Sequence, residues 1–278
     1  MTTVAPSRAS TGPITDPGTG RGTLSGLRRP GRALLPVAGV ALLGVAWWVA
    51  TDVLGTSSSA LPAFSTVIDT ARSPAGFELA WTNFLVTARS TLVGLALALL
   101  VGIPGGALLA FAHKLGRLAQ PGLSFYMAFP NVAFIPIMIL VFGFGSSAVI
   151  ALGFVTGLPY IVANAQAAFQ RVDQNLLQVA AVYCGSPVRR FGKIIVPGSL
   201  PALASGTRIG AGRVLMGVVV GEMFGSNDGL GARLVYTANF FDMASFYVTF
   251  LALLLLGAAV TFGFQLLESR AALVFRMK

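Results

Sequence analysis

The chain has 278 residues, 55% of them hydrophobic and only 10% charged, with a mean hydropathy of +0.80. A soluble domain carries roughly a quarter charged residues, so this is an all-α polytopic membrane protein; its long continuous apolar runs exclude a transmembrane barrel, which alternates along each strand. The net charge of +10 is spread among loops, which excludes a nucleic-acid surface, and the single cysteine, Cys184, excludes an internal disulfide and a multi-cysteine metal site.

Residues 1–32 are rich in Ser, Thr, Gly and Pro and read as a disordered N-terminal segment. An apolar stretch of about 20 residues crosses the hydrocarbon core. Six stretches fit: Ala33–Ala50, Phe84–Ala112, Phe125–Phe144, Ser147–Phe169, Leu200–Phe224 and Ala244–Leu267. The first is expected to stay as an uncleaved helix, since no signal-peptide cleavage site follows it. After it, Leu61–Ile68 reads as a turn and a short interfacial helix. The second run is long enough to tilt or to project from the bilayer. Pro130 and Pro136 put kinks in the third, which only Gly143–Gly145 separate from the fourth. The acidic segment Gly225–Gly231 reads as a turn-forming loop.

Together the spans make a six-helix domain over residues 33–270, with a tail at 271–278. Arg21, Arg28, Arg29, Arg32, Lys114, Arg117, Arg171, Arg189, Arg190, Lys193, Arg270, Arg276 and Lys278 all fall on one side. The other side holds Arg72 and Arg233 with Asp52, Asp69, Glu78, Asp228 and Asp242. The positive-inside rule then puts both termini in the cytoplasm, together with the segment Asp173–Pro197 between spans four and five.

That segment reads as a polar, basic helical hairpin. Asp173 is placed to cap a first short helix, Gly185-Ser186 breaks it, and Pro187 opens a second. Leu176, Ala180 and Tyr183 share a face of the first arm. Val188, Phe191 and Ile195 share a face of the second, opposite Arg189, Arg190 and Lys193. Two amphipathic helices on the cytoplasmic side form a docking surface. No nucleotide-binding loop of the G-x-x-x-x-G-K-[ST] type occurs in the chain, so a motor driving it sits on another polypeptide.

The hairpin resembles the cytoplasmic signature of permease subunits of binding-protein-dependent ABC importers, E-A-A-x3-G-x9-I-x-L-P. Here it reads Gln178-Val179-Ala180, then Cys184 in the glycine position with Gly185 after it, then Ile194-x-Val196-Pro197. The flanks, Val172–Leu176, Leu200–Ala202, Gly217–Met223 and Gly229–Gly231, are similar to the nitrate/sulfonate/taurine branch. Gln178 drops the motif's charge, and Cys184 displaces its glycine by one position.

The resemblance implies a non-enzymatic subunit of the bacterial plasma membrane. Paired with a second permease copy, identical or similar, it would form a solute pathway. Two cytoplasmic ABC ATPases would bind the ATP, so this chain needs no cofactor, and would grip Gln178, Val179, Ala180, Cys184, Gly185, Ile194, Val196 and Pro197. An extracytoplasmic binding protein would deliver a small anionic solute, or, in a second reading, a vitamin or its precursor.

Two charged residues inside span five are candidate pore groups, Arg213 and Glu222. They lie nine residues apart, about 13 Å along one helix, and cannot pair with each other. Arg213 would attract an anionic solute. Glu222 reads equally as a gating group or as a structural or interfacial charge. Snorkelling accounts for Arg89 and Arg208, and interface placement for His113. A gradient-driven secondary carrier is the competing class; such carriers show internal repeats and paired broken helices, and the two halves of this chain show no such symmetry.

Overall fold

The computed structural model describes residues 31–56, 58, 60–172 and 186–276. The chain divides into two units at Ala46/Trp47. The described part of the first is helical and belongs to α1 (Gly31–Trp48). The second begins with the last residues of α1 and the π turn Val49–Val53, and continues through the rest of the bundle.

In the second unit, α2 (Phe64–Arg72) is a short helix where one was expected after Leu61. Its first N–H groups are free donors, and Asp52 receives them: Oδ2 accepts from Phe64 N at 2.9 Å and Oδ1 from Ser65 N at 3.3 Å. Trp47 donates to the Pro62 carbonyl at 3.3 Å and packs edge-to-face on Phe64 and tilted against Tyr247. The aromatic cluster joins this corner to the start of the last helix.

Helix α3 (Pro74–Phe111) has 38 residues, or about 57 Å of rise. It begins ten residues before the apolar run because Ser73 caps it and Pro74 sits at its first position. Its excess over an apolar core of about 30 Å fits the tilt or projection expected from its length.

The third apolar run departs from expectation. Helix α4 (His113–Ala128) starts directly after α3, through residues that read as an inner loop, and stops short of Pro130. Phe129 is extended (φ −73°, ψ 137°), the conformation that a following proline imposes. A 3₁₀ turn, Asn131–Phe134, leads into α5 (Ile135–Phe142), and the two arms meet at 92°. Two segments at a right angle replace the single kinked span. Gly143 and Gly145, both at positive φ, turn the chain into α6 (Ser146–Gln170).

The described chain resumes at Ser186 with one helical turn, α7 (Pro187–Arg190), and the π turn Phe191–Ile195. These run without a break into α8 (Val196–Gly225). Helix α9 (Leu230–Asn239) begins inside the expected Gly225–Gly231 loop, with Leu230 and Gly231 already helical, and continues through a stretch that the sequence reading left unassigned. Helix α10 (Met243–Arg276) closes the chain and reaches past the expected end of span six.

Four helices among the described residues are long and apolar enough to cross a membrane, and the bent pair makes a fifth if it counts as one. The remaining candidate of the six, the apolar helix Ala41–Val53, is shorter.

The core sits where α6 packs between α3 and α8. Leu95 and Ala98 meet Val149 and Ile161, and these meet Ala211, Val214 and Val218. The approach depends on missing side chains: a Cβ on Gly157 would strike Val214 Cγ2, and one on Gly102 would lie 2.6 Å from Ile161 Cγ2. Small residues at a membrane-helix interface let dispersion act over short distances where no hydrophobic drive separates helix from lipid. The outward faces carry Leu92, Leu100, Leu118, Leu140 and Leu255, the coat that a lipid-facing bundle needs.

Candidate functional site

The cytoplasmic motif is described in its second half only. Gln178, Val179, Ala180, Cys184 and Gly185, and with them the first arm of the expected hairpin, lie outside the described residues. The second arm follows its periodicity in part: Ile195 is buried, Phe191 is half-buried, and Arg189 and Lys193 are exposed, but Arg190, expected on the same outer face, is half-buried with its Nε enclosed. Ile194, Val196 and Pro197 are half-buried.

This arm is not a separate short helix, because Pro197 does not end it. Proline lacks the N–H that would bond to residue 193. The π turn widens the helix just before it, with Val196 N bonding back to Phe191 O, five residues earlier. The helix therefore passes through Pro197 and carries the basic arm as an extension of α8.

Phe191 ties the arm to the rest of the bundle. Its ring lies 5.7 Å from Phe111 at the end of α3 and 5.9 Å from Phe169 at the end of α6, and those two are 6.3 Å apart. Beside them, Ala110, Ala165, Ala168, Val172, Ile195 and Leu203 form a second buried cluster. Each of these ring pairs is at the separation that aromatic pairs favour. The amphipathic pattern placed Phe191 on the inner face, but Phe111 and Phe169 carried no signal: each looks like any other apolar residue at a helix end.

Arg213 lies midway along α8 and is exposed, on a face shared with Ile209, Gly212 and Met216. Its guanidinium sits 4.6 Å above the Tyr160 ring. Tyr160 in turn donates to the Met127 carbonyl at 3.2 Å, beside the α4–α5 bend. The other arginine of this helix, Arg208, pairs with Glu268 of α10 at 3.8 Å. Arg213 has no carboxylate within 4 Å among the described residues. An arginine on an apolar helix face is costly against lipid, so this face borders water or another polypeptide.

Glu222 is in a different situation, 1% exposed inside the bundle. Its Oε2 accepts from Thr87 Oγ1 and from Gly231 N, both at 2.9 Å. Oε1 has no hydrogen-bond partner. The two candidate pore groups are thus not brought together: Arg213 faces outward from the bundle, and Glu222 is enclosed under the turn that starts α9.

Hydroxyls repair the broken helix ladders nearby. Pro159 has no N–H for the Val155 carbonyl, and Tyr126 of α4 supplies the missing donor at 3.2 Å. Among the described residues no group of three or more His, Cys, Asp or Glu is arranged to hold a metal ion.

Comparison with known proteins fits this geometry. Residues 102–273, more than half of the chain, match the family model of the binding-protein-dependent transport system inner membrane component. A probable ABC transporter permease protein of Haemophilus influenzae is 32% identical over 159 residues, covering 57% of this chain and 65% of that protein. The taurine transport system permease protein of Escherichia coli is 26% identical over 211 residues, 74% of this chain and 77% of that one. An Escherichia coli permease protein named for aliphatic sulfonates transport is 27% identical over 237 residues, 84% and 88% respectively. A solved chain of the MetNI methionine ABC transporter, in an inward-facing conformation, superposes with a TM-score of 0.65 at 18% identity. It covers 72% of this chain and 99% of its own, and speaks for the fold alone. The chain belongs to the family of binding-protein-dependent transport system inner membrane components.

Proposed function

We propose that this family member is the permease subunit of an ATP-driven importer for a small anionic organic solute of the sulfonate or taurine kind. In this reading a second permease copy completes the pathway, an extracytoplasmic binding protein delivers the solute, and cytoplasmic ABC ATPases bind ATP and hold the Asp173–Pro197 segment. The observation that carries the reading is the unbroken helix from Phe191 to Gly225, which joins the basic arm to the exposed Arg213. When the ATPases close, they displace the arm. A helix that continues through Pro197 passes that displacement to α8, and the Phe111–Phe169–Phe191 cluster passes it to α3 and α6. Arg213 then changes the water it faces, and a bound anion changes sides with it.

Support for the anion comes from the charge of Arg213 and from the names of two relatives. The vitamin-type solute has no comparable support. The deciding experiment is affinity purification of the tagged chain from mild detergent, with co-eluting chains and ATPase activity recorded together. An ABC ATPase in equal amount is expected. An intact, monodisperse chain without one would overturn the importer in favour of a gradient-driven carrier.

A further inference from the structure

The enclosed Glu222 is one of three side chains that together receive the start of α9. Gly229 N donates to Asn83 Oδ1 at 2.8 Å, Leu230 N to Thr87 Oγ1 at 2.8 Å, and Gly231 N to Glu222 Oε2 at 2.9 Å. A helix start usually caps itself with a neighbouring side chain of its own segment. Here the acceptors come from elsewhere, two from successive turns of α3 and one from α8. Thr87 also donates to Glu222 Oε2, so Thr87 and Glu222 form one connected network around the turn, with Asn83 beside them.

The backbone is shaped to this contact. Gly229 has φ +101°, and a Cβ on it would collide with the Glu222 carboxyl; a Cβ on Gly231 would collide with the Val219 carbonyl. Thr87 and Leu230 are fully buried. Among the described residues no cation pairs with Glu222. Both of its hydrogen bonds use a lone pair of Oε2, and neither uses a counter-ion.

We propose that Glu222 is a positioning residue: with Thr87 and Asn83 it latches the first turn of α9 to the Pro74-proximal part of α3 and the Gly225 end of α8. It acts through the acceptor oxygen it offers. The latch makes α9 travel with α3 and α8 as one body, so that this end of the bundle is covered by a fixed helix and not by a lid that opens on its own. Glu222 then holds the wall of the transporter and does not touch the solute. What the latch serves rests on the permease reading; its existence does not.

The test separates oxygen from charge. Glu222→Gln keeps an acceptor for Gly231 N, and Glu222→Leu removes it at similar volume. Thr87→Val removes the second acceptor without enlarging the site. Each is combined with Leu230→Cys as a reporter in a Cys184→Ser background, and the purified chain is labelled with N-ethylmaleimide. Labelling should be slow in the reporter protein that keeps Glu222 and in Glu222→Gln. It should be about tenfold or more faster in Glu222→Leu and in Thr87→Val, since each of them loses two hydrogen bonds of the latch.

In the complete transporter, with radiolabelled taurine as the probe, Glu222→Gln should retain uptake and Glu222→Leu should lose it. Fast labelling of Glu222→Gln would overturn the latch, and slow labelling with lost uptake would overturn the claim that Glu222 stays clear of the solute and return it to the pathway as a charge. Unchanged labelling in both Glu222→Leu and Thr87→Val would overturn it as well. If the unmodified transporter ignores taurine, the solute assignment fails while the labelling still decides the latch.

Discussion

Arg213 and Glu222 are both charged residues in one apolar helix, and the bundle treats them in opposite ways. Glu222 points where α3 and the α9 turn converge, and neutral donors satisfy one of its oxygens. Arg213 is left exposed, with a tyrosine face as its partner. A guanidinium spread over an aromatic ring keeps its charge available to an anion, because the ring attracts the cation without neutralising it. Replacing Arg213 with Gln is therefore expected to cut uptake of an anionic solute at least about tenfold, with membrane insertion unaffected. Lys at this position keeps the charge but not the planar stacking, and should fall between the two. Initial uptake rates at equal membrane abundance check this, and equal rates in all three proteins would remove Arg213 from the pathway.

At the scale of elements, prolines decide where helices break and where they only loosen. Pro130 breaks its helix, since the residue before it is forced out of helical conformation and the chain turns by 92°. Pro159 does not break α6, because Tyr126 donates to the carbonyl it abandons. Tyr126→Phe should then destabilise the bundle by about 1 kcal/mol by leaving a part-buried acceptor unpaired. The cost should shrink in a Pro159→Ala background, where the new alanine supplies its own N–H. A double-mutant cycle on unfolding of the purified chain in mixed micelles measures the coupling. Additive costs would mean that the hydroxyl contributes nothing to the repair.

For the whole molecule, the distribution of basic loops predicts an orientation that hydropathy alone cannot supply. Arg and Lys cluster before span one, after spans two and four, and at the end of the chain. Fluorescent-protein fusions at Met1 and at Lys278 are both expected to fold and fluoresce, which happens only on the cytoplasmic side. A dark fusion at one end alone would show an odd number of crossings. A dark fusion at both ends would place the basic arm outside, where no ATPase can reach it.

The helical class and four of the six expected apolar spans were legible in the amino-acid order, because each is written as a local pattern. Composition, length of run and a 3.6-residue period depend on residues a few positions apart. The right-angle bend was half legible: Pro130 signalled a disturbance, but a proline does not say whether its helix kinks or stops. Helix α9 was hidden because its cap comes from Asn83, Thr87 and Glu222, the first two more than 140 positions away. The roles of Phe111 and Phe169 were hidden for the same reason, since an aromatic residue gains meaning only from the rings that meet it. Local pattern was enough to establish what kind of protein this is and which end of α8 carries the basic arm. Which of two charges on that helix is enclosed and which is left open came from the packed bundle, because it depends on the helices that lie beside each side chain.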